Sequence, residues 1–155
     1  MNTGDLDKTD IGILRLLQQD ALLSNKQLAL ELNKSTATIH ERVRRLKTEG
    51  YIKRSVAILD GKKIGKSLIA YSQVQLKEHT DSALSGFEKE VVKFPEVMEC
   101  YHMTGAFDFI LRIVISDMDA YHNFLRSKLA QLSNIGTVQS FFVMSEIKTE
   151  TAYPF

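Results

Sequence analysis

The hydrophobic period of this chain changes once, near residue 60, and that change limits what it can fold into. Upstream, Ile13, Leu14 and Leu17, then Leu28 and Leu32, then Ile39, Val43 and Leu46 recur at the spacing of helices that bury one stripe. Downstream, stretches such as SLIAYSQVQL and FDFILRIVIS carry the residue types and lengths of strands. A helical unit and a mixed helix-and-strand unit must therefore follow one another. Between them LDGKKIGKS places two glycines and three lysines where neither period continues. The expected organisation is a first domain at 1–60, a hinge at 61–66 and a second domain at 67–150.

Three short helices are predicted upstream. Asp7, with Asp10 three residues on, caps the first; Ser24 with Gln27 makes a capping box for the second; Ser35 caps the third, which Gly50 stops. Only Asn33 and Lys34 separate the second and third, and asparagine tolerates the left-handed backbone that so tight a corner needs. The following YIKRSVAIL alternates well enough for a strand or a small wing. Helix, helix, tight turn, helix and basic strand is the order of a winged helix-turn-helix.

Downstream, SLIAYSQVQL reads as a strand, SALSGFEKEVVKF as a helix, VMECYHMT and FDFILRIVIS as strands meeting at Gly105-Ala106, MDAYHNFLRSKLAQL as a helix and VQSFFVMSEI as the final strand. This βαββαβ order predicts a ferredoxin-like domain, an antiparallel sheet with two helices on one face, so the whole chain is α+β. FDFILRIVIS and VQSFFVMSEI are apolar on both faces, as expected where one face packs on helices and the other on a second copy of the chain.

Composition narrows the function classes. At 44% hydrophobic and 25% charged the chain is an ordinary globular protein rather than a disordered one. MNTGDLDKTD is acidic and lacks the apolar centre of a signal peptide, and FILRIVI is too short to span a bilayer and is broken by Arg112. A soluble, cytoplasmic protein with no membrane partner is expected. Cys100, the single cysteine, can form no internal disulfide. The net charge of +1 hides a division: residues 1–66 carry 13 basic against 8 acidic side chains, and residues 67–155 carry 7 against 11. From 34 to 66 the ratio is 10 to 3, the local excess that a face for polyanions needs.

The third helix concentrates that excess. With Ile39, Val43 and Leu46 inward, Ala37, Glu41, Arg44 and Thr48 lie opposite, flanked by Thr38, His40 and Arg45. Its N-terminal turn is small and polar, so its backbone can approach base edges, while its C-terminal half is cationic and can hold phosphates. A basic helical face is more often simply solvated. The short preceding helix, the two-residue turn and the basic segment after it shift the balance to double-stranded DNA, with Ser35, Thr36, Ala37, Thr38, His40, Glu41, Arg44, Arg45 and Lys47 at the interface. Arg44, Arg45 and Lys47 are placed near phosphates; Thr36, Thr38, His40 and Glu41 set base preference.

LDKTDIGILRLLQ, SNKQLALEL, STATIHERVRRLKTEGYIKR, ECYHMTGAFDFIL and VMSEIK, in order over nearly the whole chain, resemble the leucine-responsive regulatory protein / AsnC family of transcription regulators. The resemblance implies a DNA-binding head and a ferredoxin-like domain that forms homodimers, assembles them toward octamers and binds a small effector, often an amino acid. It also implies that Arg42 ties the third helix to Asp10. Two departures stand out: Asn33-Lys34 replaces the usual Gly-Leu of the turn, and Ala21-Leu22 replaces Gly-Arg before the second helix. The operator of a relative therefore cannot be carried over.

MTGAFD has two readings. As a hairpin turn, Gly105 supplies a positive φ and Asp108 faces solvent; as a ligand site, Gly105 lets an effector approach the backbone and Asp108 answers its ammonium group. By family position the effector site comprises Met103, Thr104, Gly105 and Asp108, with Val138 and Ser140 from the last strand. Val138 stands where many relatives carry threonine, so the identity of the effector does not follow.

No catalytic or metal constellation is visible and no cofactor is expected. His40, His79, His102 and His122 are scattered without metal-ligand spacing on a helix, and no phosphate-binding glycine loop is present. His102 near Thr104 and Asp108 is the nearest approach to a triad, and such a strand-borne cluster is more often hydrogen-bonded surface. Two alternatives to the regulator remain: an enzyme on the same architecture, as in relatives that decarboxylate tetrapyrroles, and an effector sensor without DNA binding, against which the intact basic face argues.

Overall fold

The structure, a computed structural model, describes residues 6–155. Two compact units form: one runs up to Ile58 and takes in Ile147–Phe155, the other is Leu59–Glu146. Beside the domains expected at 1–60 and 67–150, the second unit begins at Leu59 and ends at Glu146, and Ile147–Phe155 group with the first.

In the first unit, α1 (Lys8–Gln19), α2 (Asn25–Glu31) and α3 (Thr36–Thr48) are set by their caps. Asp7 accepts from the N–H groups of Thr9 and Asp10 at 2.8 and 2.9 Å, and the Asp10 carboxylate accepts from Asp7 N at 3.2 Å, a reciprocal box. Ser24 and Gln27 close the same box on α2, and Ser35 Oγ accepts from Thr38 N at 3.1 Å on α3. Asn33 takes φ +52° in the corner, where Lys34 N reaches Ala29 O at 2.9 Å. Ile13, Leu14, Leu28, Ala29, Ile39, Val43 and Leu46 form one small buried core.

No regular strand forms in YIKRSVAIL: residues 53–60 carry no regular structure. A strand needs a neighbour for its N–H and C=O groups, and none pairs with it among the described residues; Val56, Ile58 and Leu59 are exposed.

The second unit is an antiparallel sheet of β1 (Leu68–Leu76), β2 (Val97–His102), β3 (Phe109–Ile115) and β4 (Ile135–Phe142) in the order β2-β3-β1-β4. Helices α4 (Asp81–Val91) and α5 (Met118–Ser127) cover one face, where Phe87, Val91, Tyr121 and Phe124 pack on Ala70, Val74, Phe109, Leu111 and Ile113. The opposite face carries Ile69, Tyr71 and Gln73 beside their cross-strand partners Val114, Arg112 and Ile110 and, on β4, Gln139 and Phe141.

Several boundaries differ from expectation: α4 stops at Val91 rather than 94, β2 at His102 rather than 104 and β4 at Phe142 rather than 147. The last strand begins at Ile135 rather than 138, because Gly136 lies so close to β1 that a Cβ would sit 2.8 Å from Gln75 O, an approach only glycine permits. The helix expected through residue 132 breaks at Lys128, whose ammonium meets Glu96 at 2.6 Å, and Leu129 is then fully buried in a short 3-10 turn.

Candidate nucleic-acid interface and effector turn

α3 buries Ile39, Val43 and Leu46 and leaves Thr36, Ala37, Thr38, His40, Glu41, Arg44 and Lys47 exposed, with Ser35 exposed just before it. Ser35 and Thr38 join hydroxyls at 2.8 Å, which fixes the polar first turn. Glu41 is an acidic group on an otherwise cationic face. Arg44 Nη2 lies 2.6 Å from its Oε2, so its charge is countered locally.

The anchoring of this helix is electrostatic as well as apolar. Asp10 is 1% exposed, and its carboxylate meets Arg42 Nη1 at 3.0 Å and Arg45 Nη2 at 2.6 Å. Arg42 Nη1 also lies 2.7 Å from Asp7. A buried carboxylate is tolerated only with such partners. The N–H of Asp10 and the guanidinium of Arg42 hold the Asp7 carboxyl down at about 2. Hydrogen bonds to Asp7 and Asp10 raise Arg42 further above its ordinary range, and Asp10 does the same for Arg45. The Arg42–Asp10 tie is therefore present. Arg45, assigned from sequence to phosphates, has one guanidinium nitrogen on Asp10; Arg44 and Lys47 extend from the exposed side.

At one end of the sheet, Met103, Thr104, Gly105 and Ala106 form an exposed turn, closed by Met103 N donating to Asp108 O at 2.8 Å. Gly105 has φ +117°, and nothing lies within 4 Å of where its Cβ would be, so conformation rather than crowding demands glycine. The Asp108 side chain is only 14% exposed: Oδ2 accepts from Leu76 N at 2.7 Å and lies 3.2 Å from His79 Nε2. It does not simply face solvent, as the hairpin reading held.

Val138 and Ser140 pair with Val74 and Ser72 and turn with them toward the helix layer. Ser140 Oγ bonds the Tyr121 hydroxyl and lies 3.2 Å from Ser72 Oγ. These two side chains are thus not brought to the sheet's open face, where β4 presents Gln139 and Phe141 instead, because direct cross-strand partners share a face. His79 and Asp7 were absent from the sequence-derived sets; each meets its partner across about 30 residues, a distance at which no spacing rule operates.

Among the described residues no group of three His, Cys, Asp or Glu side chains is placed to hold a metal, and no helix is long and apolar enough to cross a membrane.

A helix-turn-helix with a cationic reading helix, followed by a separate ferredoxin-like unit, defines a DNA-binding transcription regulator. Comparison with known proteins agrees. Residues 6–53 match a winged helix-turn-helix DNA-binding model, and residues 69–153 match the Lrp/AsnC ligand binding domain. Over 149 residues the chain is 37% identical to the transcriptional regulator AzlB of Bacillus subtilis, covering 96% of this chain and 95% of that one. It is 33% identical to the leucine-responsive regulatory protein of Klebsiella pneumoniae, over 93% and 88% of the two chains. A transcriptional regulator from Neisseria meningitidis, solved as a complex with L-Met, superposes with a TM-score of 0.91 at 33% identity over 96% of each chain. The chain belongs to the Lrp/AsnC family.

Proposed function

We propose that this regulator is a cytoplasmic homodimer, assembling further toward an octamer, whose DNA binding is modulated by an amino acid and which catalyses no reaction. The observation that carries the DNA-reading part is the division of labour on α3: Arg42 and Arg45 hold the helix to the buried Asp10, while Arg44 and Lys47 remain exposed beyond a polar first turn. Arg44 and Lys47 contact phosphates, Arg45 does so with the guanidinium edge not engaged by Asp10, and the exposed residues from Ser35 to Glu41 face base edges. Replacing both Arg44 and Lys47 by alanine lowers the salt slope of binding by about 2, or about 1 for each phosphate that is no longer neutralised. An unchanged slope would place the helix elsewhere.

Dimerisation supplies two reading helices, since one covers too few base pairs for specificity. Ile69, Val114 and Phe141 on the sheet face without helices support a partner there. Sedimentation as a strict monomer at micromolar concentration would refute this.

The effector reading rests on the turn around Gly105 and on the L-Met complex of the Neisseria protein. Asp108 receives the effector's ammonium, and Met103, Thr104 and the open backbone at Gly105 receive the rest. A thermal-shift screen of the amino acids on the wild type, Gly105→Val and Asp108→Ala decides it. A ligand whose shift disappears in both variants supports the site; equal shifts in all three proteins remove it.

A further inference from the structure

Ile147–Phe155 follow the last strand of the second unit yet group with the first. Their seat is α1. The Gln18 carboxamide meets the main chain of Tyr153 in both directions: Oε1 accepts from Tyr153 N at 2.6 Å and Nε2 donates to Tyr153 O at 3.2 Å. Three residues earlier, on the same helix face, Arg15 Nη2 donates to Phe155 O at 3.2 Å. The side chains of the segment contribute little, since Ile147, Tyr153 and Phe155 are all exposed. A surface that holds main-chain groups and leaves side chains in water recognises a stretch of backbone rather than a particular sequence. Pro154 stiffens the backbone between the two held residues.

Three exposed hydrogen bonds are too few to order a free peptide. They suffice when chain connection supplies a high local concentration, so the contact belongs in cis and is readily released. We propose that the Arg15 and Gln18 face of α1 is a docking surface for the chain's own segment Ile147–Phe155, and that the docked segment is a releasable strap on the DNA-reading unit. The chain passes between units after Ile58 and again after Glu146. Sheet pairing persists to Val143, whose N–H donates to Ile69 O at 2.9 Å. From Val143 the chain can reach Tyr153 over at most roughly 35 Å. Docking therefore gives the head two tethers, and release leaves it one. The strap bears on α1, the helix whose Asp7 and Asp10 hold Arg42 and Arg45, so it restrains the element that anchors the reading helix.

The test uses the wild type, Gln18→Ala and a chain ending at Glu146. Amide hydrogen exchange of the segment that includes Tyr153 is a few-fold slower in the wild type than in Gln18→Ala. Equal exchange in both would show that the segment does not dock, and protection that falls on dilution would show that it docks on another copy; either overturns the proposal. The consequence for DNA rests on the homodimer reading. On DNA selected by the wild type from a random pool, inserting about half a helical turn between half-sites weakens wild-type binding several-fold more than that of either altered protein. Equal losses in all three proteins would refute the tether. Sedimentation of the same samples keeps the readings apart: a monomer would defeat the homodimer reading, while exchange still decides the docking.

Discussion

Replacing Asp10 by alanine tests whether the reading helix is held by charge as well as by its apolar stripe. The buried carboxylate receives Arg42 at 3.0 Å, Arg45 at 2.6 Å and the N–H of Asp7 at 3.2 Å. Breaking a buried ion pair by removing one partner costs about 3–5 kcal/mol, because the other charge is stranded. Here the stranded partners are 30% and 40% exposed and can rehydrate, and Arg42 keeps Asp7. The ionic loss should therefore be about half as large, roughly 1.5–2.5 kcal/mol, to which the missing half of the capping box adds about 0.5–1 kcal/mol. A domain of this size shifts by about 4–8 °C per kcal/mol, so the first unit should melt about 10–25 °C lower. Calorimetry of the whole chain, with far-UV circular dichroism to identify the helical unit, measures this. Adding Arg42→Met and Arg45→Met should recover part of the loss, since removing all the charges strands none. If Asp10→Ala moved that transition by less than about 3 °C, the ion cluster would be incidental and the apolar stripe alone would hold the helix.

Asp7 has a folded-state pKa lowered from 3.8 to about 2, so its contribution to stability is fully present above pH 3.8 and is lost as pH falls through about 2; Asp7→Asn should flatten that part of the acid-unfolding curve. Gly136→Ala sets a Cβ 2.8 Å from Gln75 O, a backbone atom that cannot swing away. It should destabilise the sheet unit by about 1–3 kcal/mol, and an unchanged second melting transition would contradict the close approach. Asp108→Ala removes the acceptor of Leu76 N–H; by about 1–3 kcal/mol it should destabilise the second unit and lower its melting temperature with no ligand present, whereas an unchanged value would free Asp108 of a structural role.

What was legible in the residues is what local chemistry decides. The three N-caps, the buried stripe of Ile39, Val43 and Leu46, the left-handed Asn33 and the positive φ of Gly105 each depend on a few consecutive residues, and each is found where the pattern puts it. The order of helices and strands follows from hydrophobic period, so both fold classes could be read as well. The Arg42–Asp10 tie came from family pattern, not from spacing.

Tertiary structure decided how the side chains are used. Arg45 looks like any exposed cation on a basic helix; only the docking of α3 on α1 brings it 2.6 Å from a carboxylate 35 positions away. Alternation says that Ser140 faces one side of its strand but not which side, and the register with Ser72 turns it inward onto Tyr121. No strand formed in YIKRSVAIL because alternation describes a strand's faces without supplying its hydrogen-bond neighbour. The onset of β4 at Ile135 was hidden because Gly136 reads as a turn residue until the backbone of β1 is seen lying against it. In each case the residues carry conformational preference, which is local, while partner choice depends on which elements each core brings within a few ångströms.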